Sequence, residues 1–152
     1  MEIREIKTHL QKGKSILAFD YGEKRLGVAV SDLLLMTANP VKIIYRSTFD
    51  KDISQIKQII DEKEVGAIIY GLPLQMDGSE GKTAEMVKNF ANKIAQYINL
   101  PYAFWDERLS SRAVENFLIK EIDMSRSKRK ETLDASAAAY ILQGVLDSIQ
   151  YL

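Results

Sequence analysis

The chain has 152 residues, enough for one domain with a substantial core, and its 21 basic and 21 acidic residues give a formal net charge of zero. The absence of cysteine and the single histidine exclude disulfides, thiol nucleophiles and thiolate or histidine metal clusters. A bound metal ion would therefore need oxygen ligands, which Mg²⁺ and Mn²⁺ prefer. No segment approaches the roughly 20 apolar residues of a membrane span, and the N-terminus lacks an apolar signal core, so we expect a cytoplasmic protein.

Two short apolar runs follow the N-terminal segment 1–14. Residues 16–19 form the first run, which ends at Asp20, and residues 26–30 form the second, with Gly22 in the connection between them. This pattern predicts a β-hairpin with a carboxylate at the mouth of its first strand. No repeat or linker divides the chain further, so we expect an N-terminal extension followed by one domain over 15–152.

Three more strands and four helices are predicted along the rest of the chain. Alternation over 40–46 predicts a third strand antiparallel to the second, and the apolar runs 66–71 and 102–106 predict two further strands. Apolar residues at helical spacing predict helices over 50–63, around 87–98, over 110–119 and over 131–149. This order predicts an α/β fold: a mixed five-stranded sheet with an antiparallel start and parallel crossovers, its faces covered by helices.

Three acidic residues lie at the ends of these elements. Asp20 ends the first strand, Glu107 follows the fifth, and Asp134 opens the last predicted helix. Clustered carboxylates suggest phosphodiester chemistry, since two divalent ions about 4 Å apart activate water and stabilise the leaving oxygen. Each acid also has an ordinary explanation: a turn aspartate, an ion pair of Glu107 with Arg108, and a helix-dipole partner for Asp134, with Thr132 as a cap.

Basic residues near these acids are candidates for phosphate contacts. Lys24 and Arg25 lie in or beside the hairpin turn, and Arg108 follows Glu107. A denser cluster lies in a serine-containing stretch before the last predicted helix, which we expect to be a mobile loop. Its members are Arg126, Lys128, Arg129 and Lys130. Solvated surface charge is the alternative interpretation for all of these residues.

Four motifs in chain order resemble the YqgF/RuvX family, and they span nearly the whole chain after residue 14. They are Phe19–Gly22 continuing through Lys24–Ala29, Gly71–Leu74 with Asp77–Gly78, Asp106–Ser110, and Lys130 with Leu133–Ala138. Members of that family have an RNase H-like fold. The family is described as a Holliday-junction resolvase or as a nuclease acting on the 5′ end of pre-16S ribosomal RNA.

The resemblance implies a divalent-metal-dependent endonuclease that leaves a 5′-phosphate on structured nucleic acid. It makes Asp20, Glu107 and Asp134 the catalytic residues and the ligands of Mg²⁺ or Mn²⁺, with two ions expected. Asp106 and Glu107 must point to opposite faces of their strand. The alternation of side chains along the strand does not by itself show which of the two is the catalytic acid. The family motif places the catalytic acid at Glu107, and Asp106 is the alternative candidate for that role. The basic residues named above would hold flanking phosphates.

Precursor ribosomal RNA is the expected substrate, and a monomer the expected state. A resolvase of four-way DNA would need a two-fold dimer with paired basic surfaces, for which this neutral chain supplies little. That resolvase is nevertheless the first alternative, and a non-catalytic factor binding nucleic acid or the ribosome is the second. An actin- or sugar-kinase-like ATP-binding protein is a further alternative, because Asp20–Gly22 in a strand turn is similar to the phosphate-binding hairpin of that group, although such proteins need two lobes.

The segment 73–83 and Trp105 also need an interpretation. Gly81–Thr83 is not a phosphate-binding P-loop, because Met76 stands where that motif requires glycine. Residues 73–81 are instead expected to form a loop at the rim of the site. We expect Trp105 to lie in the core rather than to act as a stacking surface for a base.

Overall fold

A computed structural model of the chain describes residues 1–109 and 126–150, and describes the side chains of residues 1–108 and 137–150. The helices in these ranges are α1 (Ile3–His9), α2 (Phe49–Glu62), α3 (Lys82–Ala95) and α4 (Arg126–Gln150). The strands are β1 (Ser15–Asp20), β2 (Arg25–Ser31), β3 (Ala38–Tyr45), β4 (Val65–Leu72) and β5 (Tyr102–Asp106). A short 3₁₀ turn, Glu107–Leu109, follows β5. The helix predicted over 110–119 lies outside the described residues.

The five strands form one mixed sheet in the order β3-β2-β1-β4-β5. β1 and β2 form the predicted hairpin, and β3 pairs antiparallel with β2. β4 lies parallel to β1, and β5 lies parallel to β4. The predicted fold class is therefore confirmed. Because β1, β4 and β5 run in one direction, their carboxyl ends meet at the same edge of the sheet.

Alternate residues of β1 face two separate hydrophobic cores. Leu17 and Phe19 pack with apolar residues of α2 and α3 on one face of the sheet. Ile16 and Ala18 pack with α4 and α1 on the other face. Side chains along a strand alternate between the faces, so Asp20 belongs to the α4 face and Tyr21 packs against the α2–α3 core.

Helix α4 begins at Arg126, before the predicted start at residue 131. The four clustered basic residues are therefore helical, and the prediction of a mobile loop there is wrong. Asp134 lies more than two turns beyond Arg126, so the helix dipole, which acts within the first turn, does not explain it. Lysine, arginine and glutamate are good helix formers. Because they are polar, a first turn built from them shows no apolar residues at helical spacing, and the sequence pattern therefore misses it.

The N-terminal segment packs onto the same core as the rest of the chain. Ile6 in α1 is fully buried and belongs to the cluster on the α4 face. A Cβ atom on Gly66 would lie 2.8 Å from Leu10 Cδ1, which shows how closely the segment approaches β4. Helix α1 therefore packs on the α4 face of the sheet.

None of the helices in the described ranges combines the length and the apolar character that a membrane span requires.

We predict that Ile6→Ala lowers the free energy of unfolding by about 2–5 kcal/mol, because it removes a fully buried aliphatic side chain. Urea unfolding followed by circular dichroism measures this. Lys7→Ala, on the exposed face of the same helix, is the matched control and should change the free energy by no more than about 0.5 kcal/mol. Equal, small effects of the two substitutions would show that α1 does not contribute to the core.

Candidate active site

Two of the predicted acids converge where the parallel strands end. Asp20 is the last residue of β1, and Glu107 begins the turn that follows β5. Between them lies β4, whose Gly71 leaves room for the Glu107 side chain: a Cβ on Gly71 would lie 2.5 Å from Glu107 Oε1. The carboxyl groups of Asp20 and Glu107 share a hydrogen bond. The structure thus brings together two residues that are far apart in the sequence.

The Glu107 carboxyl group lies in an environment that favours its neutral form. Burial raises its pKa above the ordinary value, and the neighbouring Asp106 carboxylate raises it further, whereas the hydrogen bond with Asp20 lowers it. Two carboxyl groups in contact cannot easily both be ionised, and a proton held between them is one way to relieve their repulsion. A divalent cation would replace that proton and satisfy both groups.

Asp106, the alternative candidate for the catalytic acid, makes a different set of contacts from Glu107. Its Oδ2 accepts a hydrogen bond of 2.7 Å from Arg108 Nη2, and its Oδ1 accepts one of 3.0 Å from the backbone N–H of Arg108. The hydrogen-bonded Arg108 guanidinium lowers the pKa of Asp106 below its ordinary value. In the structure, therefore, the side chain of Glu107 contacts Asp20, whereas that of Asp106 pairs with Arg108.

Arg108 also holds the loop over residues 73–81. Its Nη1 donates to the carbonyl oxygens of Met76 at 3.3 Å and Gln75 at 3.5 Å. The loop is a small hairpin, closed by a bridge between Leu74 and Glu80. It lies next to the turn that carries Glu107, at the predicted rim. The guanidinium predicted to contact phosphate is thus already engaged with one carboxylate and two carbonyl groups.

Lys24 and Arg25 lie close to Asp20 in sequence and in space. The turn before β2 is tight, since a Cβ on Gly22 would lie 2.5 Å from the carbonyl oxygen of Arg25. Lys24 is exposed, and the Arg25 guanidinium lies 5.9 Å from the centroid of the Tyr45 ring. Both cations therefore border the edge of the sheet at which Asp20 lies.

The third acid and the densest basic cluster are placed by their backbone alone. Residue 134 precedes Ala138 and Ile141 by about one and two helical turns, and therefore occupies the helix face that packs on the sheet. The side chains of Asp134, Arg126, Lys128, Arg129 and Lys130 lie outside the described residues. Within the described side chains, no three acids or histidines are grouped to hold a metal ion.

Two residues near the acids act as packing elements. The partly buried Trp105 packs against the core on the α4 face, as predicted, and a Cβ on Gly144 would lie 3.0 Å from its ring. Gly71 belongs to the second of the four sequence motifs, and the motif alone predicts no role for it. A glycine near the end of an otherwise apolar strand is a signal of close approach, and here the approaching group is the Glu107 carboxyl.

Comparison with known proteins gives matches along nearly the whole chain. The family model described as "RuvX: Holliday junction resolvase" matches residues 14–148. A relative from Bartonella quintana (strain Toulouse) is 44% identical over 152 residues, covering 100% of this chain and 95% of the relative. One from Mesorhizobium japonicum (strain LMG 29417 / CECT 9101 / MAFF 303099) is 46% identical over 143 residues, covering 94% and 86%. Both are named "Putative pre-16S rRNA nuclease".

Solved structures give a likeness in fold. The structure titled "T. thermophilus RuvC in complex with Holliday junction substrate" aligns with a TM-score of 0.54 and 10% identity, covering 90% of this chain and 96% of that chain. At this identity the likeness concerns the fold alone, and it confirms the predicted RNase H-like architecture.

We predict that Gly71→Ala displaces Glu107 from Asp20, because the new Cβ would lie within 2.6 Å of both Glu107 Oε1 and Ile141 Cδ1. We expect a loss of about 1–3 kcal/mol in unfolding free energy and a Glu107 pKa closer to its ordinary value. Carboxyl-carbon NMR titration measures the pKa. Gly66→Ala, at the other end of β4, is the control: it also creates contacts but should leave the Glu107 titration unchanged. The same Glu107 titration in both variants would contradict the role of Gly71.

We predict that the metal-free protein loses stability as the pH rises above about 4.5, the ordinary value for glutamate. The pKa of Glu107 is raised in the folded state, so its contribution is complete below the unfolded-state pKa and is lost as the pH rises through the folded-state pKa. Asp20→Asn replaces an ionisable partner with a neutral amide that can still donate a hydrogen bond to Glu107, so it should reduce this loss. Thermal melts in EDTA over a range of pH measure this loss of stability. Asp61→Asn, at an exposed position of α2, is the control. An Asp20→Asn protein much less stable than the wild type at neutral pH would show that Asp20 is structural.

Proposed function

This chain belongs to the RuvX family, and on that premise we propose that it is a divalent-metal-dependent endonuclease that processes the 5′ end of pre-16S ribosomal RNA. The observation that carries the proposal is the contact between the Asp20 and Glu107 carboxyl groups at the carboxyl ends of β1 and β5. The names of the relatives from Bartonella and Mesorhizobium support the choice of substrate.

Mg²⁺ or Mn²⁺ fits the residues at this edge of the sheet. The candidate ligands Asp20, Glu107 and Asp134 offer only oxygen atoms, and two of them already converge without a metal. A divalent ion, when bound, acts as a Lewis acid on a phosphoryl oxygen and lowers the pKa of water. Asp20 and Glu107 would orient the ions from two rigid strands, while Gly71 provides the space for the Glu107 side chain.

The basic residues would hold the flanking phosphates of the substrate. Lys24 and Arg25 border Asp20, and the four basic residues of α4 lie in its first two turns, on the same helix as Asp134. Arg108 has a different role in this proposal, that of positioning the 73–81 loop and pairing with Asp106. Phosphate contacts of this kind determine affinity and register but do not read sequence.

A Holliday-junction resolvase is the second candidate, because the description of the matching family names that activity. A resolvase cuts two symmetry-related strands and would require a two-fold dimer of this chain. A monomer that makes one cut in an RNA strand requires only one site and one set of phosphate contacts. The neutral net charge favours this simpler arrangement.

A cleavage assay on precursor ribosomal RNA and four-way DNA in parallel, with and without Mg²⁺ or Mn²⁺, tests the proposal. We expect metal-dependent cuts in the RNA that leave 5′-phosphates, and we expect Asp20→Asn and Glu107→Gln to reduce the rate by more than about 100-fold. Asp61→Asn should cleave normally. Metal-dependent turnover by purified Asp20→Asn protein would contradict the assignment, and symmetric nicking of junction DNA by a stable dimer would favour the second candidate.

We predict that replacing Arg126, Lys128, Arg129 and Lys130 together with glutamine weakens RNA binding across sequences. Each lost phosphate contact on a single strand should flatten the dependence of log affinity on log salt concentration by about 0.7. Fluorescence anisotropy at several salt concentrations measures the slope. Lys57→Gln with Lys63→Gln, on and just after α2, is the control. If the quadruple variant keeps the wild-type slope, the cluster is only solvated charge.

A further inference from the structure

A cavity on the α2–α3 face of the sheet, opposite the α4 face on which Asp20 lies, has no part in the proposed metal site. Its volume is about 400 Å³, and Tyr21, Arg46, Phe49 and Lys93 are among the residues that line it. Tyr21 directly follows Asp20 in the chain, so the two Cα atoms lie about 3.8 Å apart while the side chains face opposite sides of the sheet. The cavity therefore opens at the same edge of the sheet as the carboxyl pair.

A buried ion pair fixes the cation that lines this cavity. Asp52 is 1% exposed, and its Oδ2 lies 3.3 Å from Arg46 Nε. Arg46 Nη1 donates to the carbonyl oxygen of Gly22 at 3.1 Å. The guanidinium carbon lies 5.1 Å from the centroid of the Tyr21 ring and 5.0 Å from that of Phe90. These contacts hold the guanidinium group rigidly beside the turn that follows Asp20.

Arg46 has hydrogen-bonding capacity left over in this position. A guanidinium group carries five N–H donors, and the contacts with Asp52 and Gly22 use two of them. The remaining donors have no acceptor in the part of the chain whose side chains are described. Since Arg46 lines the cavity and its side chain is 19% exposed, these donors are available to an anionic ligand.

The rest of the lining adds one further cation, aromatic surface and polar groups, beside the Asp52 carboxylate that pairs with Arg46. The Nζ of Lys93 lies 4.1 Å from the centroid of the Phe49 ring, and Lys93 is exposed. Ser47 and Asn89, both exposed, also line the cavity. Cationic groups next to aromatic rings are what proteins use to bind single-stranded nucleic acid, with phosphates on the cations and bases on the rings.

We propose that this cavity binds one unpaired nucleotide of the nucleic-acid strand, with its phosphate on Arg46 and Lys93 and its base against the ring of Tyr21 or Phe49. The proposal rests on the proposed function only in taking that strand to be the one that is cut at Asp20 and Glu107. A strand that passes around the turn at Gly22 would reach both faces of the sheet. Bases in single-stranded RNA are free to leave the stack, whereas paired bases are not, so the cavity favours an unpaired substrate.

The test is binding of a short fluorescein-labelled single-stranded RNA in EDTA, where metal-dependent cleavage does not occur. Lys93→Met removes the charge but keeps an aliphatic chain on the Phe49 ring, and Lys57→Met on exposed α2 is the matched control outside the cavity lining. We expect Lys93→Met to weaken binding several-fold and to flatten the salt dependence by about 0.7, and Lys57→Met to change neither. Identical binding by the two variants would overturn the proposal.

Two further measurements locate the contact and distinguish the substrate. RNA containing 4-thiouridine, irradiated in the complex, should crosslink to Tyr21 or Phe49, and crosslinks confined to α4 would overturn the proposal. A duplex of the same sequence should lose little affinity through Lys93→Met, and an equal loss would overturn the unpaired-nucleotide assignment. Because binding is measured without metal, a protein that binds through Lys93 but never cleaves would contradict the proposed nuclease function and leave the cavity assignment intact.

Discussion

The contact between two carboxyl groups above one glycine is the constraint on which the arrangement of the site depends. Asp20 and Glu107 repel each other when both are ionised, so only a rigid scaffold with a shared proton or a cation holds them together. The scaffold is the set of parallel strands β1, β4 and β5, buried between helices on both faces. The missing side chain of Gly71 allows the contact, because any Cβ there would occupy the space of the Glu107 carboxyl.

Two neighbouring acids at the end of β5 have opposite electrostatic environments. Arg108 lowers the pKa of Asp106 through hydrogen bonds, whereas burial raises the pKa of Glu107. Such separation of two adjacent carboxyl groups is how proteins assign them different roles. The ion pair with Arg108 also connects the end of β5 to the rim loop through the carbonyl groups of Gln75 and Met76. A single arginine thereby positions both the turn that carries Glu107 and the loop beside it.

The turn after Asp20 is supported from the other face of the sheet. The pair of Arg46 with buried Asp52 reaches the carbonyl oxygen of Gly22, and the backbone N–H of Arg46 donates to the carbonyl oxygen of Lys24. A buried ion pair contributes little net stability, since its desolvation offsets its attraction, but it fixes the geometry of the groups around it. The geometry fixed here is that of the turn that joins Asp20 to Lys24 and Arg25.

The sequence by itself determined the strands, their pairing directions and the placement of Asp20 at a strand mouth, because apolar periodicity and turn residues are local signals. It also placed Glu107 and Asp134 as candidates through motifs, but their assignment as metal ligands stays a prediction, and the Asp134 side chain lies outside the described residues. It misplaced the start of α4, where charged helix formers carry no apolar period, and it gave the N-terminal segment no part in the core. Only the tertiary structure decided that Glu107 rather than Asp106 meets Asp20, that Gly71 makes room for it, and that Arg108 and Arg46 hold the adjoining turns. Each of these contacts joins residues brought together by the sheet or oriented by the turn after β5, and local periodicity contains no information about which side chains meet there.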